Sequence, residues 1–199
     1  SELDEYAVEQ ALQIADSDEV DDAEITVLTV GPEDAKDALR KALSMGADKA
    51  VHVEDDDLHG TDALGTSYVL AKAIEKTGYD LVVCGMASTD GTMGVLPAML
   101  AERLGVPQVT LLSEVSVTDQ SGEARYPSFK GIMAAKKKPV ESLDLDDLDI
   151  EAEEVGLEGA WTKVEDVAER PARTAGTVVK DEGDGGKQLA AFLAERKFV

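Results

Sequence analysis

The segment "GMASTDGTMG", residues 85–94, collects residue types suited to holding an anion. Gly85, Gly91 and Gly94 allow positive φ and close backbone approach. Ser88, Thr89 and Thr92 supply hydroxyls between them. The segment runs into "VLPAMLAERL", and the free N–H groups of a helix start would face a negative charge. Pro97 is tolerated in the first helical turn and not beyond it, which places that start near residues 94–96. Together these residues sketch a phosphate cradle. They match neither the Walker pattern nor the dinucleotide fingerprint, and a capped helix with a glycine turn would use the same residues. Asp90 would repel a phosphate, so it suits a loop cap or a ribose hydroxyl. A second loop of similar placement, "TVGPED" (29–34), also leaves a predicted strand and enters a helix.

Side chains for covalent or acid–base chemistry are scarce. Cys84 ends a predicted buried strand, where a thiol packs as a small apolar group. His52 sits in a strand and His59 in an acidic loop, a spacing that gives no metal site. The acid clusters at 54–57 and 144–149 read as solvated surface and linker. There is no nucleophile elbow and no paired carboxylate, so a substrate-transforming enzyme is not expected.

The elements around these loops alternate. "DEYAVEQALQIA" (4–15) carries one apolar helical stripe, and "ITVLTV" (25–30) is a β-branched run expected of a strand buried on both faces. Then come a helix closing at Gly46, a strand at 49–54, a helix at 62–77, a strand at 79–85, a helix after residue 94 and a strand at 107–112. Four strand–helix alternations predict an α/β fold, a mostly parallel doubly wound sheet of the Rossmann-like, adenine-nucleotide-binding kind. Ligands of such sheets bind beyond the carboxyl ends of the strands, where both loops lie. From about residue 140 little apolar material remains, which predicts an extended arm lying on another surface.

The chain of 199 residues holds 42 acids against 19 Lys and Arg, a net charge of −23. That charge repels nucleic acid and anionic membranes, and no apolar run reaches the length of a span. Acids spread over the predicted surfaces, rather than gathered in a tail, suggest adaptation to high salt, where screening is short-ranged. The single cysteine and the polar opening "SELDEYAVEQ" suggest a cytoplasmic protein. One stretch departs from this. "RYPSFKGIMAAKKKP" (125–139) contains no acid and five of the 19 basic residues, and the next nineteen residues contain nine acids.

"RYPSFKGIMAAKKKP" resembles a signature segment of the electron transfer flavoprotein β subunit. "DEYAVEQAL", "TVGPEDAKDALRKALSMGADKAVHV", "DLVVCGMASTDG" and "RTAGTVV" (173–179) resemble that family's other blocks, in order. The resemblance implies an electron carrier working as an αβ heterodimer, passing electrons from flavin-dependent dehydrogenases toward a membrane quinone reductase. It implies FAD mainly on the α subunit, and AMP, or a second FAD in bifurcating members, on this one. By position, the nucleotide contacts it implies are Ser1, Glu2, Leu3, Asp4, Val30, Asp90, Gly91, Thr92, Met93, Gly94, Val95, Leu96, Pro97, Ala98, Met99, Leu100 and Ala101. Partner recognition would fall on Arg125, Tyr126, Phe129, Lys130, Ile132, Met133, Lys136, Lys137 and Lys138.

Three regions follow: a nucleotide-binding domain at 1–120, a recognition loop and basic helix start at 121–141, and an acidic arm with a terminal helix at 142–199, packing on the α subunit. Two family segments, a strand before the first block and a run between Val117 and Arg125, are not among these residues and are expected to belong to the full chain. The alternative is a stand-alone adenine-nucleotide module of the universal-stress type. Such a module has no use for a basic recognition loop or a coreless arm.

Overall fold

A computed structural model describes residues 2–18, 20–88, 91–110, 124–168, 183 and 185–195. The helices are α1 (Glu2–Ala15), α2 (Lys36–Met45), α3 (Ala63–Thr77), α4 (Leu96–Leu104), α5 (Phe129–Ala135), the short α6 (Gly156–Gly159) and α7 (Gly185–Glu195). The strands are β1 (Thr26–Val30), β2 (Lys49–Val53) and β3 (Val140–Leu143). Residues 1–163 form one compact unit and residues 164–199 a second, which contains α7.

The sheet is parallel throughout, in the order β1-β2-β3. Thr26 faces Lys49 and Val30 faces Val53, while Ala50 faces Val140 and Val53 faces Leu143. Alternation along β2 feeds two cores. Ala50 packs with Leu39 and Leu43 of α2 and Ala135 of α5. Val51 and Val53 pack with Val69 and Ala73 of α3. Successive strand residues point to opposite faces, so helices cover both sides of the sheet, as the sequence predicts. α2 stops at Gly46, whose φ of +152° few side chains adopt. A Cβ there would also lie 2.7 Å from the side chain of Leu12, so this glycine lets α1 pack on the end of α2.

Three expectations need correcting. Residues 81–84 form no strand, and residues 107–110 are irregular, with 111–112 outside the described residues. β1 is not sealed on both faces; all five of its residues are only half-buried. The third strand is instead β3, and the chain after residue 140 does carry core. Leu143, Leu145, Leu148, Ile150 and Val155 are buried against Val51, Val53 and Val69. In "LDLDDLDI" the leucines and isoleucine turn inward while Asp144, Asp146, Asp147 and Asp149 stay exposed. Burying five such side chains contributes on the order of 10 kcal/mol, the size of a whole domain's net stability. This stretch is therefore part of the first unit's fold.

The acid cluster at 54–57 has structural work. Asp55 accepts from the Asp57 N–H at 3.0 Å and from the Leu145 N–H at 3.3 Å, tying the turn after β2 to the chain after β3. His52 is fully buried in β2, and its Nε2–H donates to the Gly31 carbonyl at 2.8 Å, joining the ends of β1 and β2. Its Nδ1 finds no hydrogen-bond partner among the described residues and lies 3.5 Å from the Glu54 carboxylate. No described helix is long and apolar enough to cross a membrane.

Candidate functional site

Two separate places hold the residues that the sequence singles out. The first is the loop leading into α4. The helix begins at Leu96, with Pro97 in its first turn and Val95 before it, and among the described residues no side chain caps its free N–H groups. α4 is held firmly from below. Leu100 is buried with Ala71 and Ile74 of α3. Arg103 donates through Nε to Ser67 Oγ at 2.8 Å and through Nη2 to the Leu64 carbonyl at 3.0 Å.

In front of that fixed helix, Gly91, Thr92, Met93 and Gly94 are all exposed. Thr92 has φ +48° and Gly94 φ +65°. A threonine in the left-handed region is uncommon, and such backbone is found most often at functional sites. The Thr92 N–H donates to the Ser88 carbonyl at 3.2 Å, which closes the turn. Among the described residues, a Cβ on Gly91 would touch only Ser88 Oγ, at an ordinary 3.5 Å.

Other expected contacts converge on this loop unevenly. Cys84, at its foot, packs against the core of Ala71, Ile74 and Leu100, as do Leu28 and Leu96. Its thiol is pushed above the ordinary value, first by burial and then by the charge of Asp4. Val30 ends β1 and packs toward the core. Leu100 also faces the core, so its side chain supports α4 rather than reaching the loop's open side. Ala98 is exposed, and Met99 and Ala101 are half-buried. Ser1 and Asp90 lie outside the described residues, as do the side chains of Glu2 and Leu3, which are otherwise in α1.

The second place is the basic segment. Arg125 does not point away from the protein. Its Nε donates to Glu9 Oε2 at 2.7 Å, its main-chain N–H to the same oxygen at 3.0 Å, and its Nη2 to Glu9 Oε1 and Asp16 Oδ2, both at 3.1 Å. Burial alone would raise the Glu9 carboxyl. The bonds from the Arg125 guanidinium, Gln13 and the Arg125 N–H outweigh it and hold the group below the ordinary carboxylate value. The same bonds raise Arg125 above the ordinary arginine value.

At the other end of the segment, Lys138 Nζ donates to the carbonyls of Leu43, Gly46 and Ala47, at 3.1, 3.1 and 2.5 Å. It satisfies carbonyls at and just beyond the end of α2, where a cation is favoured. Two of the basic residues read as partner contacts thus clamp the segment to the protein's own α1 and α2.

Between the clamps, Ser128 caps α5 by accepting from the Gly131 N–H at 3.0 Å. Gly131 meets α2 so closely that a Cβ would lie 2.5 Å from the Ser44 carbonyl. With that face turned inward, the other face stands open. Tyr126 is 94% exposed and Phe129 81% exposed, with Ile132 and Met133 about half exposed. Lys130, Lys136 and Lys137 are exposed as well.

The sequence reading missed Glu9, Asp16, Ser44 and Asp62. Glu9, Leu12 and Asp16 follow helical spacing, and two acids on the stripe of a buried leucine are a signal that something basic must meet them. Asp62 caps α3 through the Gly65 N–H at 3.0 Å and also accepts from the N–H groups of Trp161 and Thr162, at 2.9 and 3.1 Å. It thereby fixes where the chain leaves the first unit beside a Trp161 that is 86% exposed. Among the described residues, no three of His, Cys, Asp and Glu converge on a metal site.

Residues 1–132 match the family model "Electron transfer flavoprotein domain". The whole chain aligns, at 45% identity over 229 alignment positions, with the electron transfer flavoprotein subunit beta of Mycobacterium leprae, covering 86% of that protein. The chain belongs to the electron transfer flavoprotein β-subunit family. The Bacillus subtilis subunit beta is 35% identical, with 98% of this chain and 86% of the relative covered. That of Megasphaera elsdenii is 31% identical, with 98% and 84% covered. Proteins of this family are subunits of electron carriers.

Proposed function

We propose that this chain is the β subunit of a heterodimeric electron carrier that accepts electrons from flavin-dependent dehydrogenases and delivers them toward a membrane quinone reductase. Its α partner holds the main FAD, which supplies the electron-accepting group when bound. This chain contributes an adenine-nucleotide site, for AMP or for a second FAD if the complex bifurcates, and a dehydrogenase-docking segment at 125–138. The observation that carries the docking part is Phe129, a large aromatic left open to solvent on a segment clamped at both ends. Exposed aromatics on a rigid support are the residues on which interfaces concentrate their energy.

The nucleotide reading rests on the first turn of α4, uncapped among the described residues, and on the exposed left-handed backbone at Thr92 and Gly94. The free N–H groups there would take a phosphate, with Gly91 allowing close approach. Gly91→Val tests it. Among the described residues a Cβ at this position meets only an ordinary contact, so the variant is expected to fold normally and to lose most of its extractable adenine nucleotide. Cys84→Ser, one step before the loop, is expected to keep it. Equal nucleotide content in both variants would reduce the loop to a helix cap.

The charge of −23 further supports a home in high salt. Lowering ionic strength from 1 M to 0.1 M lengthens the Debye length from about 3 Å to about 10 Å, so carboxylates that were screened from one another repel. The heterodimer is expected to loosen, then unfold, when followed by circular dichroism and gel filtration down a salt series. An unchanged elution volume and spectrum in dilute buffer would contradict the assignment to a high-salt environment.

A further inference from the structure

We propose that the groove between α2 and α5 forms the second half of the docking surface, and that it seats an acidic segment of the partner dehydrogenase bearing an apolar side chain. This rests on the recognition reading above and extends it from residues 125–138 to α2, a helix that reading does not include.

The groove has a volume of about 410 Å³, with Ile132, Ala135 and Val140 as apolar lining and Arg40, Lys41 and Lys136 among its charged lining. No described lining residue is acidic, in a chain whose acids outnumber its bases 42 to 19. Such a concentration of one sign is a local inversion of the protein's field, and it complements an acidic surface. Lys41 is paired with Glu5 and Lys138 is spent on the carbonyls at the end of α2, whereas Arg40 and Lys136 retain capacity for a partner. Arg40 pairs with Asp37 one turn away at 3.1 Å, but the two side chains are 68% and 81% exposed, so the pair is weak and exchangeable. Lys136 makes no ion pair among the described residues.

The groove is also continuous with the open face of α5. Phe129, Ile132, Met133 and Lys136 fall at helical positions i, i+3, i+4 and i+7, so they form one stripe. Ile132 and Lys136 belong to both stripe and groove. A bare phosphate would leave the apolar lining unused. An acidic segment with an apolar residue uses both chemistries, carboxylates against the cations and the apolar side chain against Ile132 and Val140.

The test uses the reconstituted αβ heterodimer as substrate of its dehydrogenase, the latter purified from the same cells by its ability to reduce the heterodimer. Measurements are made at the lowest salt at which the heterodimer stays intact. Arg40→Glu and Lys136→Glu are each expected to raise KM for the heterodimer about tenfold with kcat retained, since charge complementarity acts mainly on encounter and register. A photo-crosslinker placed at residue 40 is expected to capture a dehydrogenase peptide containing Asp or Glu beside an apolar residue. Thermal melts matching wild type exclude misfolding, and Lys136→Glu stands in should Arg40→Glu fail to fold. If both charge reversals leave KM unchanged while Phe129→Ala raises it, the groove is not part of the interface and the recognition reading survives. If all three behave as wild type, both ideas fall. If inorganic phosphate at constant ionic strength raises KM for wild type but not for Arg40→Glu, the groove is a small-anion site and the proposal is overturned.

Discussion

Phe129→Ala is expected to weaken docking of the dehydrogenase by about 2 kcal/mol, which corresponds to roughly thirtyfold in affinity. The side chain is 81% exposed in this chain, so its removal creates no cavity and forfeits no folding energy of consequence. Its loss is felt only when a partner would have covered it. The Ser128 cap, the Gly131–Ser44 approach and the Lys138 clamp hold α5 without it. Stopped-flow reduction of the heterodimer should therefore slow under second-order conditions, while the melting temperature, nucleotide content and α-subunit binding stay at wild-type values. Lys137→Ala, which removes an exposed rim charge, should have a smaller effect. Normal electron uptake by the Phe129 variant would make the segment an ordinary surface helix.

Arg125→Ala should act on the same transfer through stability rather than contact. The Glu9 side chain is 9% exposed and that of Arg125 36% exposed. Removing the arginine strands a nearly buried carboxylate. The expected cost is about 2 kcal/mol, less than the 3–5 typical of a fully buried pair because water reaches the guanidinium. The start of the recognition segment should then open toward proteases, with cleavage near residues 125–128 as its signature. Glu9→Gln, which keeps the shape but not the charge, should cost less.

Acid titration gives an independent check. Because the folded protein holds Glu9 below the ordinary carboxylate value of 4.5, the pair's contribution is complete above that value and is lost as pH falls through the lower folded value. Wild type should lose its stability advantage over Arg125→Ala in that acid window. Arg125 titrates far above the accessible range and leaves no mark at neutral pH. Equal loss of stability in both proteins as pH falls would show that this ion pair is not what secures the segment.

What the sequence made legible was local. β1 and β2 are compact β-branched or apolar runs, Gly46 ends α2, and Pro97 fixes the start of α4 to within a residue or two. β3 escaped because it is four residues long and three of them are exposed, so no alternation marks it. Its partner β2 lies more than eighty residues earlier, beyond any window of periodicity. The core role of Leu143, Leu145, Leu148 and Ile150 was hidden by the aspartates between them, which dominate composition while facing solvent. "DLVVCG", conversely, reads as a strand by composition, yet 81–84 pair with nothing as a strand among the described residues.

The basic segment shows the same limit at the candidate site. Its exposed aromatics could be picked out by type. That Arg125 would turn back to Glu9, 116 positions away, and Lys138 to the end of α2 depended on tertiary placement, which spacing does not encode. The answer to why so acidic a chain keeps an acid-free stretch is therefore partly internal. Some of its cations clamp the stretch to the protein's own helices, and the rest stay exposed.

The most direct test of the electron-carrier assignment is the visible absorption spectrum, with nucleotide extraction, of the complex purified in high salt from its native host. The account predicts that this chain elutes with a second subunit as a yellow heterodimer, showing bound flavin and releasing an adenine nucleotide. A colourless protein eluting alone, with no flavin and no second subunit, would contradict it.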